Sequence, residues 1–274
     1  MIVSQRDGGI FVSDIGNFNP AETLDCGQAF RWTLRDDGLF FGVASNKKLL
    51  LQEIAGGFLF HGIDLDEFND FWFHYFDFGT DYSEILNRLS GDSTLKMAIK
   101  KFSGIRILRQ NSAEATFSFI ISQNNNIPRI KKIVEKLSSL CGTPLGENLF
   151  AFPTPEQIAS RNEEELCREL RCGYRGEYLI STARALCDGK IDFDEIASLP
   201  LKEAEKKLCE LKGVGPKVAQ CILLYGLHRT DAFPVDVWVK RIMERFYPHG
   251  FPHLFNDVAG IAQQYLFHYI RNES

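Results

Sequence analysis

Residues 1–60 contain short apolar runs that turn-forming residues separate. Runs of strand length lie at 10–12, 30–34, 39–43, 49–54 and 58–60. Gly8-Gly9 precedes the first run, Asp37-Gly38 separates the second from the third, and Gly56-Gly57 separates the fourth from the fifth. Asp-Gly and Gly-Gly between apolar runs are typical of β-hairpins. The pattern therefore predicts an antiparallel sheet.

From Asp64 onward the apolar positions follow a helical period, and residues 96–274 keep that period throughout. Helix starts are predicted at Pro155, behind Thr154, and near residues 198–200. Helix stops are predicted at Gly104, Gly142, Gly173, Gly189 and Gly226. The predicted fold class is α+β, with an antiparallel sheet unit over residues 1–95 and a larger helical unit over residues 96–274.

Composition limits the classes of protein that this chain can represent. It has 274 residues, 45% of them hydrophobic, and 23 phenylalanines, which excludes a disordered chain. No apolar run is long enough to cross a bilayer, and the first residues lack the pattern of a signal peptide. Seven cysteines without a CxxC pair suit reduced thiols. We expect a protein that is not secreted and that acts in the cytoplasm or nucleoid, or in a eukaryotic nucleus.

Positive charge is concentrated in two segments, although the net charge of the chain is −5. Residues 96–140 carry 9 basic and 2 acidic side chains, and residues 201–245 carry 9 and 6. An acidic protein can present a basic face in this way, which suits a nucleic-acid partner. Ordinary solvated helix faces would give the same totals, so charge alone leaves both interpretations open.

Residues 201–226 combine two amphipathic segments, 201–210 and 216–225, with a glycine turn between them. Gly213 and Gly215 allow a tight turn and let a phosphate approach the backbone at the start of the second helix. The pattern predicts a helix-hairpin-helix, a module that binds the DNA backbone without recognising sequence. The expected phosphate contacts are Gly213, Val214 and Gly215.

Two charged residues stand at predicted helix starts, Lys217 behind Pro216 and Asp236 behind Pro234. An ammonium at a helix N-terminus lies at the unfavourable end of the helix dipole, which favours a neutral, nucleophilic amine. Attack of that amine on a sugar carbon gives an imine, and an imine allows strand cleavage by elimination. A carboxylate at the other start can stabilise positive charge on the sugar. Taken singly, Lys217 can also be a phosphate contact and Asp236 an ordinary N-cap.

Four segments in the same order resemble the 8-oxoguanine DNA glycosylases of the helix-hairpin-helix glycosylase superfamily. They are the strand motif at 26–32, the asparagine-rich turn at 122–130, the wedge segment at 173–175, and the catalytic core at 213–219 with 234–236. The resemblance covers nearly the whole chain. It implies that Lys217 attacks C1′ of the damaged nucleoside and that Asp236 supports this step.

The resemblance also implies how the DNA and the damaged base are held. Asn124 fills the hole that base flipping leaves. Base flipping costs a few kcal/mol of stacking and pairing, which such a plug must offset. Tyr174 is wedged into the stack, and Arg129, with Arg175, hydrogen-bonds the estranged base. The flipped base would lie in a pocket whose implied residues are Cys221, Phe267, Gln263 on the Watson–Crick edge, and the main-chain carbonyl of Gly27.

Simpler interpretations exist for several of these residues. Asn124 can belong to an ordinary polar loop, Phe267 to the core, and Gln263 to the surface of an amphipathic helix over 257–270. The Gly27 role has a physical reason, because 8-oxoguanine has an N–H at position 7 where guanine has a lone pair. A fixed carbonyl accepts from the first and repels the second, and an unpaired buried acceptor costs about 1–3 kcal/mol.

The chain departs from relatives in two places. Trp238 stands where the eukaryotic members have a histidine, which puts a phosphate contact there in doubt. No cysteine follows Cys221, so the C-terminal iron–sulfur cluster of related branches cannot be built. We therefore expect no cofactor. The resemblance allows a structural cation held by the hairpin carbonyls of Cys209, Leu211 and Val214.

The leading hypothesis is a bifunctional DNA glycosylase and AP lyase that excises 8-oxoguanine, preferably opposite cytosine. Its partner would be double-stranded DNA, with no membrane partner, and the protein would act as a monomer. One alternative is a glycosylase for another damaged purine. The other is a non-catalytic helix-hairpin-helix DNA-binding protein.

Overall fold

The computed structural model describes residues 1–272. Its largest sheet is antiparallel and confirms the sheet predicted from the N-terminal pattern. The six strands are β1 Ile2–Arg6, β2 Gly9–Ser13, β3 Trp32–Leu34, β4 Phe40–Ala44, β5 Lys47–Ile54 and β6 Gly57–His61, in the spatial order β1-β2-β6-β5-β4-β3. Strand β1 was not predicted, because it lies at the sheet edge and exposes every residue except the half-buried Val3.

Helices make up most of the remaining chain, and the α+β fold class is confirmed. In chain order they are α1 Pro20–Leu24, α2 Leu65–Glu67, α3 Phe73–Tyr75, α4 Tyr82–Leu89, α5 Ser93–Lys101, α6 Ser112–Ser122, α7 Ile127–Cys141, α8 Pro155–Ala159, α9 Glu163–Leu170, α10 Arg175–Cys187, α11 Phe193–Ser198, α12 Leu201–Leu208, α13 Pro216–Cys221, α14 Val237–Phe246 and α15 Ala259–Arg271. Wider π-turns lie at Phe68–Trp72 and Ile222–Gly226, and a 3-10 turn lies at His253–Val258. Over residues 1–272, no helix combines the length and apolar character that crossing a membrane requires.

One short hairpin interrupts the predicted helical region. Strands β7 Pro144–Gly146 and β8 Leu149–Phe150 are antiparallel to each other. The turn that joins them consists of Glu147 and Asn148, both of which have positive φ. The prediction of helix throughout residues 96–274 was wrong here. Strands of two and three residues are too short to show an alternating pattern in the sequence.

The described residues form two compact units. Unit 1 contains Met1–Gly42, Lys48–Arg109 and the chain from Phe233 onward, and unit 2 contains Val43–Lys47 and Gln110–Ala232. This division differs from a single boundary near residue 95, because the C-terminal helices group with N-terminal ones. Helix α15 packs against α5, and Tyr247 donates a 2.7 Å hydrogen bond to the Asp92 carboxylate that caps α5.

An aromatic cluster forms much of the core of unit 1 and accounts for many of the phenylalanines. Its buried rings include Phe18, Phe60, Phe68, Phe76, Phe78, Trp32 and Trp72. Trp32 donates from Nε1 to the hydroxyl of Tyr75 at 2.8 Å, so the polar edges are satisfied as well. The cluster gives the loops of unit 1 a rigid support.

Helix N-terminal caps in unit 2 follow the sequence signals closely. Asn126 caps α7 and bonds the N–H of Arg129, and Thr154 forms a capping box with Gln157 at the start of α8. Helix α6 is buried along most of its length, because the apolar run Phe117, Phe119, Ile120 and Ile121 lies inside the unit. Helices α6 and α7 flank the asparagine-rich turn.

Candidate active site

The predicted hairpin joins α12 to α13 in unit 2. Gly213 has a φ of +81°, and a Cβ at this position would lie 2.2 Å from the ring of Tyr178. Gly215 caps α13 and has no atom within 4 Å of the place a Cβ would occupy, so its backbone is open to a phosphate. The turn is closed by a 3.0 Å bond from the N–H of Val214 to the carbonyl of Leu211. The second helix ends earlier than predicted, at Cys221, and continues as a π-turn.

The hairpin carbonyls remain the only basis for the predicted cation. Leu211 already uses its carbonyl to accept from Val214 but keeps a second lone pair. No group of three or more His, Cys, Asp or Glu side chains in the described part of the chain could hold a metal ion. The cation at Cys209, Leu211 and Val214 stays a prediction.

Lys217 occupies the first turn of α13, one residue after the Pro216 that begins it. Its Nζ lies 5.8 Å from the centroid of the buried Phe119 ring, which stacks on Tyr225. Among the described residues of unit 2, no hydrogen bond or ion pair engages this amine. An amine that lies beside an apolar ring and has no carboxylate partner is well placed to act as a nucleophile.

Lys212, which directly precedes Gly213 of the hairpin, has an anionic partner of its own. Its Nζ pairs with the carboxylate of Glu177, and this hydrogen bond raises the pKa of Lys212. Its side chain is exposed, and its charge is compensated locally. Aromatic surroundings rather than a free second lysine distinguish the environment of Lys217.

The asparagine-rich turn and the wedge segment meet in unit 2. Asn124 is exposed and left-handed, with φ of +46°, and its Nδ2 lies 3.4 Å from the hydroxyl of Tyr174. Tyr174 is 47% exposed and packs edge-on against Tyr178 at 5.5 Å. The two side chains predicted to enter the DNA stack therefore lie side by side on the surface.

Arg175 differs from its expected role as a contact to the estranged base. It is 6% exposed, and its guanidinium donates to the carbonyls of Gln123 at 3.0 Å, Cys172 at 3.1 Å and Asn124 at 3.2 Å. Two of these acceptors, Gln123 and Asn124, belong to the main chain of the asparagine-rich turn. In this structure Arg175 holds the turn in place, because its buried charge needs several acceptors.

Arg129 is exposed in the first turn of α7, as a contact to DNA requires. Its Nη2 donates to the carbonyl of Arg171 at 3.1 Å. Arg171 is the left-handed residue, with φ of +51°, that ends α9. A guanidinium has five N–H donors, so this anchor leaves most of the fork available.

Asp236 is the N-cap of α14 in unit 1. Its Oδ1 accepts from the N–H groups of Trp238 at 2.9 Å and Val239 at 2.8 Å, which confirms the N-cap interpretation. Its Oδ2 takes no part in the cap. The guanidinium of Arg241 lies 4.8 Å from the centroid of the Trp238 ring. Trp238 therefore makes a cation–π contact with Arg241.

Gly27 lies in unit 1 between two residues that are wholly buried, Cys26 and Gln28. Its φ of +85° is favourable only for glycine. Burial raises the pKa of the Cys26 thiol to about 12, so this thiol stays protonated and packs as a neutral group. The local chain is therefore rigid on both sides of Gly27.

Gln28 anchors this loop through its whole side-chain amide. Its Nε2 donates to the carbonyls of Thr23 at 2.9 Å and Arg106 at 2.7 Å, and its Oε1 accepts from the N–H of Leu108 at 2.9 Å. All these groups are buried, so breaking their hydrogen bonds would lower the free energy of unfolding. Sequence reasoning placed Gln28 in a motif but assigned it no role.

The other predicted pocket residues are divided between the units. Gln263 and Phe267 lie one helical turn apart on α15 in unit 1, and Cys221 is a buried residue of α13 in unit 2. Gln263 is 3% exposed, so the interpretation as a surface residue was wrong. Phe267 is half-buried, unlike the fully buried core rings.

Gln264 is a residue that sequence reasoning missed. It follows Gln263, is wholly buried, and donates to the carbonyl of Cys26 at 3.0 Å. The available signal was an extra amide in the largely apolar stretch 258–267, because a buried amide requires a specific partner.

Comparisons with known proteins place this chain in a family. Residues 10–116 match the model described as the 8-oxoguanine DNA glycosylase N-terminal domain. Residues 117–251 match the model described as the HhH-GPD superfamily base excision DNA repair protein. The two matches adjoin and follow the order of the predicted motifs.

Two curated relatives are described as N-glycosylase/DNA lyases. A probable N-glycosylase/DNA lyase from Methanothermobacter thermautotrophicus is 32% identical over 233 residues, covering 72% of this chain and 73% of that protein. The N-glycosylase/DNA lyase of Saccharomyces cerevisiae is 40% identical over 158 residues, covering 53% of this chain and 42% of its own length. The chain thus spans less than half of the yeast protein and nearly three quarters of the archaeal one.

A solved structure matches along the whole chain. The Clostridium acetobutylicum 8-oxoguanine glycosylase/lyase, in complex with double-stranded DNA containing cytosine opposite 8-oxoG, superimposes with a TM-score of 0.92 and 35% sequence identity. The match covers 100% of this chain and 98% of that one. The chain belongs to the 8-oxoguanine DNA glycosylases of the helix-hairpin-helix superfamily.

Proposed function

We propose that this chain is a bifunctional base-excision repair enzyme that removes 8-oxoguanine from double-stranded DNA and then nicks the damaged strand. Family membership supports the enzyme class, and one observation supports the chemistry. Lys217 stands directly behind the hairpin turn, against the Phe119 ring and without an anionic partner in its unit. An enzyme with this substrate works where the genome is, in a nucleoid or a nucleus.

In the proposed reaction the Lys217 amine attacks C1′ and the N-glycosidic bond breaks, so its electron pair leaves with the base. The Asp236 carboxylate, at the N-terminus of α14, stabilises the positive charge that develops on the sugar. Opening of the sugar ring gives an imine between Nζ and C1′. Loss of a C2′ proton then expels the 3′ phosphate by β-elimination. Enzymes of this family type generally use no cofactor for this sequence.

Recognition is assigned to the main-chain and side-chain groups that the motifs predict. The Gly27 carbonyl accepts the N7–H of 8-oxoguanine, Gln263 bonds its Watson–Crick edge, and Phe267 and Cys221 contact its faces. Asn124 and Tyr174 occupy the gap in the stack, and Arg129 bonds the opposite cytosine. The backbone at Gly213, Val214 and Gly215 binds a phosphate.

Borohydride trapping tests the proposal, because it reduces the imine to a stable covalent complex. We expect the wild-type chain to be trapped on a duplex with 8-oxoguanine opposite cytosine. Lys217→Gln should bind the duplex but give no trapped complex and no base release, since it keeps the side-chain length and removes the nucleophile. Lys202→Gln, at an exposed position on α12, is the matched control and should be trapped like the wild type.

The outcomes separate the alternative functions. A wild-type chain that binds DNA but is never trapped would indicate a non-catalytic DNA-binding protein. Trapping only on a duplex with another damaged purine would change the lesion and keep the mechanism. Undiminished trapping of Lys217→Gln would assign the imine to another amine.

Asp236→Asn separates the charge of this residue from its capping role. The amide keeps an oxygen that can accept from Trp238 and Val239, so we expect a folded protein that still binds DNA. Base release should slow by roughly 10²-fold or more, because the charge stabilising the transition state is lost. If the rate is unchanged, Asp236 is an N-cap only.

A further inference from the structure

Helix α15 carries two consecutive buried glutamines, and the second of them contacts the loop around Gly27. The Nε2 of Gln264 donates to the main-chain carbonyl of Cys26 at 3.0 Å. Both residues are 0% exposed, so water does not compete for this bond. The contact lies wholly within unit 1 and joins positions that are 238 residues apart.

This bond acts on the peptide plane that precedes Gly27. The carbonyl of Cys26 and the N–H of Gly27 belong to the same planar unit, so a bond to the carbonyl fixes the orientation of the whole plane. Gly27 itself offers little restraint, because it has no Cβ and its φ of +85° is one of several that glycine adopts easily. Without an external bond the peptide groups on both sides of Gly27 could rotate.

The residue after Gly27 is restrained independently. Gln28 is held by Thr23, Arg106 and Leu108 through its side chain. Gln264 therefore supplies on the N-terminal side of Gly27 what Gln28 supplies on the C-terminal side. The carbonyl of Gly27 lies between two anchored positions.

We propose that Gln264 is a positioning residue for lesion recognition, which it serves by fixing the direction of the Gly27 carbonyl. The inference rests on the proposed function, in which that carbonyl distinguishes 8-oxoguanine from guanine. Gln264 touches neither base nor sugar and acts through the Cys26–Gly27 peptide. Its neighbour Gln263 is assigned to the base itself. Helix α15 would therefore carry one residue that contacts the base and one that orients the Gly27 carbonyl.

A rigid carbonyl matters here because one hydrogen atom distinguishes the two bases. A carbonyl that can turn away from N7 avoids the repulsion that guanine should cause, and it also loses the bond that 8-oxoguanine should form. Both effects reduce the difference in affinity. Main-chain recognition therefore depends on the groups that immobilise the main chain.

The test compares Gln264→Met with Tyr265→Phe. Methionine has nearly the same volume and cannot donate to the Cys26 carbonyl. The control removes a similar bond from the next residue, because the buried Tyr265 hydroxyl donates to the carbonyl of Ile105 at 3.0 Å. Both variants remove a buried donor from α15, but only the first change affects the peptide before Gly27.

The measured quantity is the ratio of dissociation constants for undamaged and 8-oxoguanine duplexes, both with cytosine opposite. It is determined in the Lys217→Gln background, where no turnover disturbs binding. We expect Gln264→Met to reduce this ratio roughly tenfold, within the ~10²-fold that a misplacement of about 1 Å can cost. Tyr265→Phe should lower the melting temperature comparably and leave the ratio unchanged.

Failure of this inference is distinguishable from failure of the proposed function. If the parent protein does not prefer the damaged duplex, the assignment of the lesion is wrong. If the parent prefers it and Gln264→Met keeps the full preference, Gln264 has only a structural role. Should the methionine variant not fold, Gln264→Asn shortens the amide by one methylene and is judged by the same ratio.

Discussion

Two loops assigned to DNA recognition are built in opposite ways. The Gly27 loop, residues 25–28 of unit 1, buries both neighbours of its central residue and is held by the side chains of Gln28 and Gln264. The Asn124 loop, residues 123–126 of unit 2, exposes its central side chain and is held at its carbonyls by buried Arg175. Both central residues have positive φ, +85° at Gly27 and +46° at Asn124.

The difference follows from what each loop presents. A carbonyl that recognises a base belongs to the main chain, so the neighbouring main chain must be immobile. A side chain that fills a gap in DNA must project from the surface, so only the backbone beneath it can be restrained. Each loop has one anchor that is distant in sequence and donates to a loop carbonyl, Gln264 for the Gly27 loop and Arg175 for the Asn124 loop.

The largest effect is expected from breaking the anchor of the Gly27 loop. Gln28→Met removes bonds to three buried backbone groups, so the free energy of unfolding should fall by about 4 kcal/mol. Urea denaturation measures this change. The control is Gln52→Met in β5, where a half-buried amide bonds only the His61 ring at 2.8 Å. Similar losses in both variants would contradict the special role of the Gly27 loop anchor.

Breaking the anchor of the Asn124 loop should cost somewhat less. Arg175→Met leaves several carbonyls unpaired but also removes a buried charge, so we expect a loss of about 3 kcal/mol. Excision should slow further than stability explains, because the loop carrying Asn124 is released. The exposed Arg184 on the same helix provides the control variant Arg184→Met. Unfolding curves measure the loss of stability, and single-turnover rates measure the loss of excision. Normal excision by Arg175→Met would contradict the role of Arg175 in holding the Asn124 loop.

Substitution of Arg129 tests whether this side chain recognises the base opposite the lesion. Cytosine presents two acceptors, O2 and N3, to the guanidinium fork, whereas adenine presents N1 beside a donor amine. Wild type should excise 8-oxoguanine faster opposite cytosine than opposite adenine. The activation free energies should differ by about 2 kcal/mol if one bidentate pair accounts for the preference. Arg129→Ala should lose this preference, and the exposed Arg168→Ala on α9 should keep it. Equal wild-type rates on the two duplexes would show that Arg129 does not recognise the opposite base.

The smallest effect concerns the left-handed centre of the Asn124 loop. Asn124→Gly should be more stable than Asn124→Ala by about 1 kcal/mol, because a positive φ strains alanine and not glycine. Both variants lack the plug, so their excision rates should fall equally. Thermal melts and single-turnover assays measure the two quantities. Equal stability would mean that the loop relaxes when the asparagine is replaced.

Much of the fold follows from local patterns in the sequence. Paired glycines and Asp-Gly marked the hairpins, and Thr154 and Asp236 marked helix starts because their side chains satisfy free N–H groups of the first turn. The hairpin of α12 and α13 was predictable from two glycines between amphipathic segments. Motif order indicated the family and the candidate residues Lys217 and Asp236.

Only the tertiary structure decided which polar side chains are buried and what they bind. The sequence offers Arg175 and Gln264 as ordinary polar residues, one in a surface motif and one on a helix. Their roles depend on carbonyls that chain folding brings near them, at separations of 52 and 238 residues. The grouping of α14 and α15 with the N-terminal helices has the same origin. Local periodicity determines which face of an element is apolar, but the partner of a buried donor is set by contacts distant in sequence.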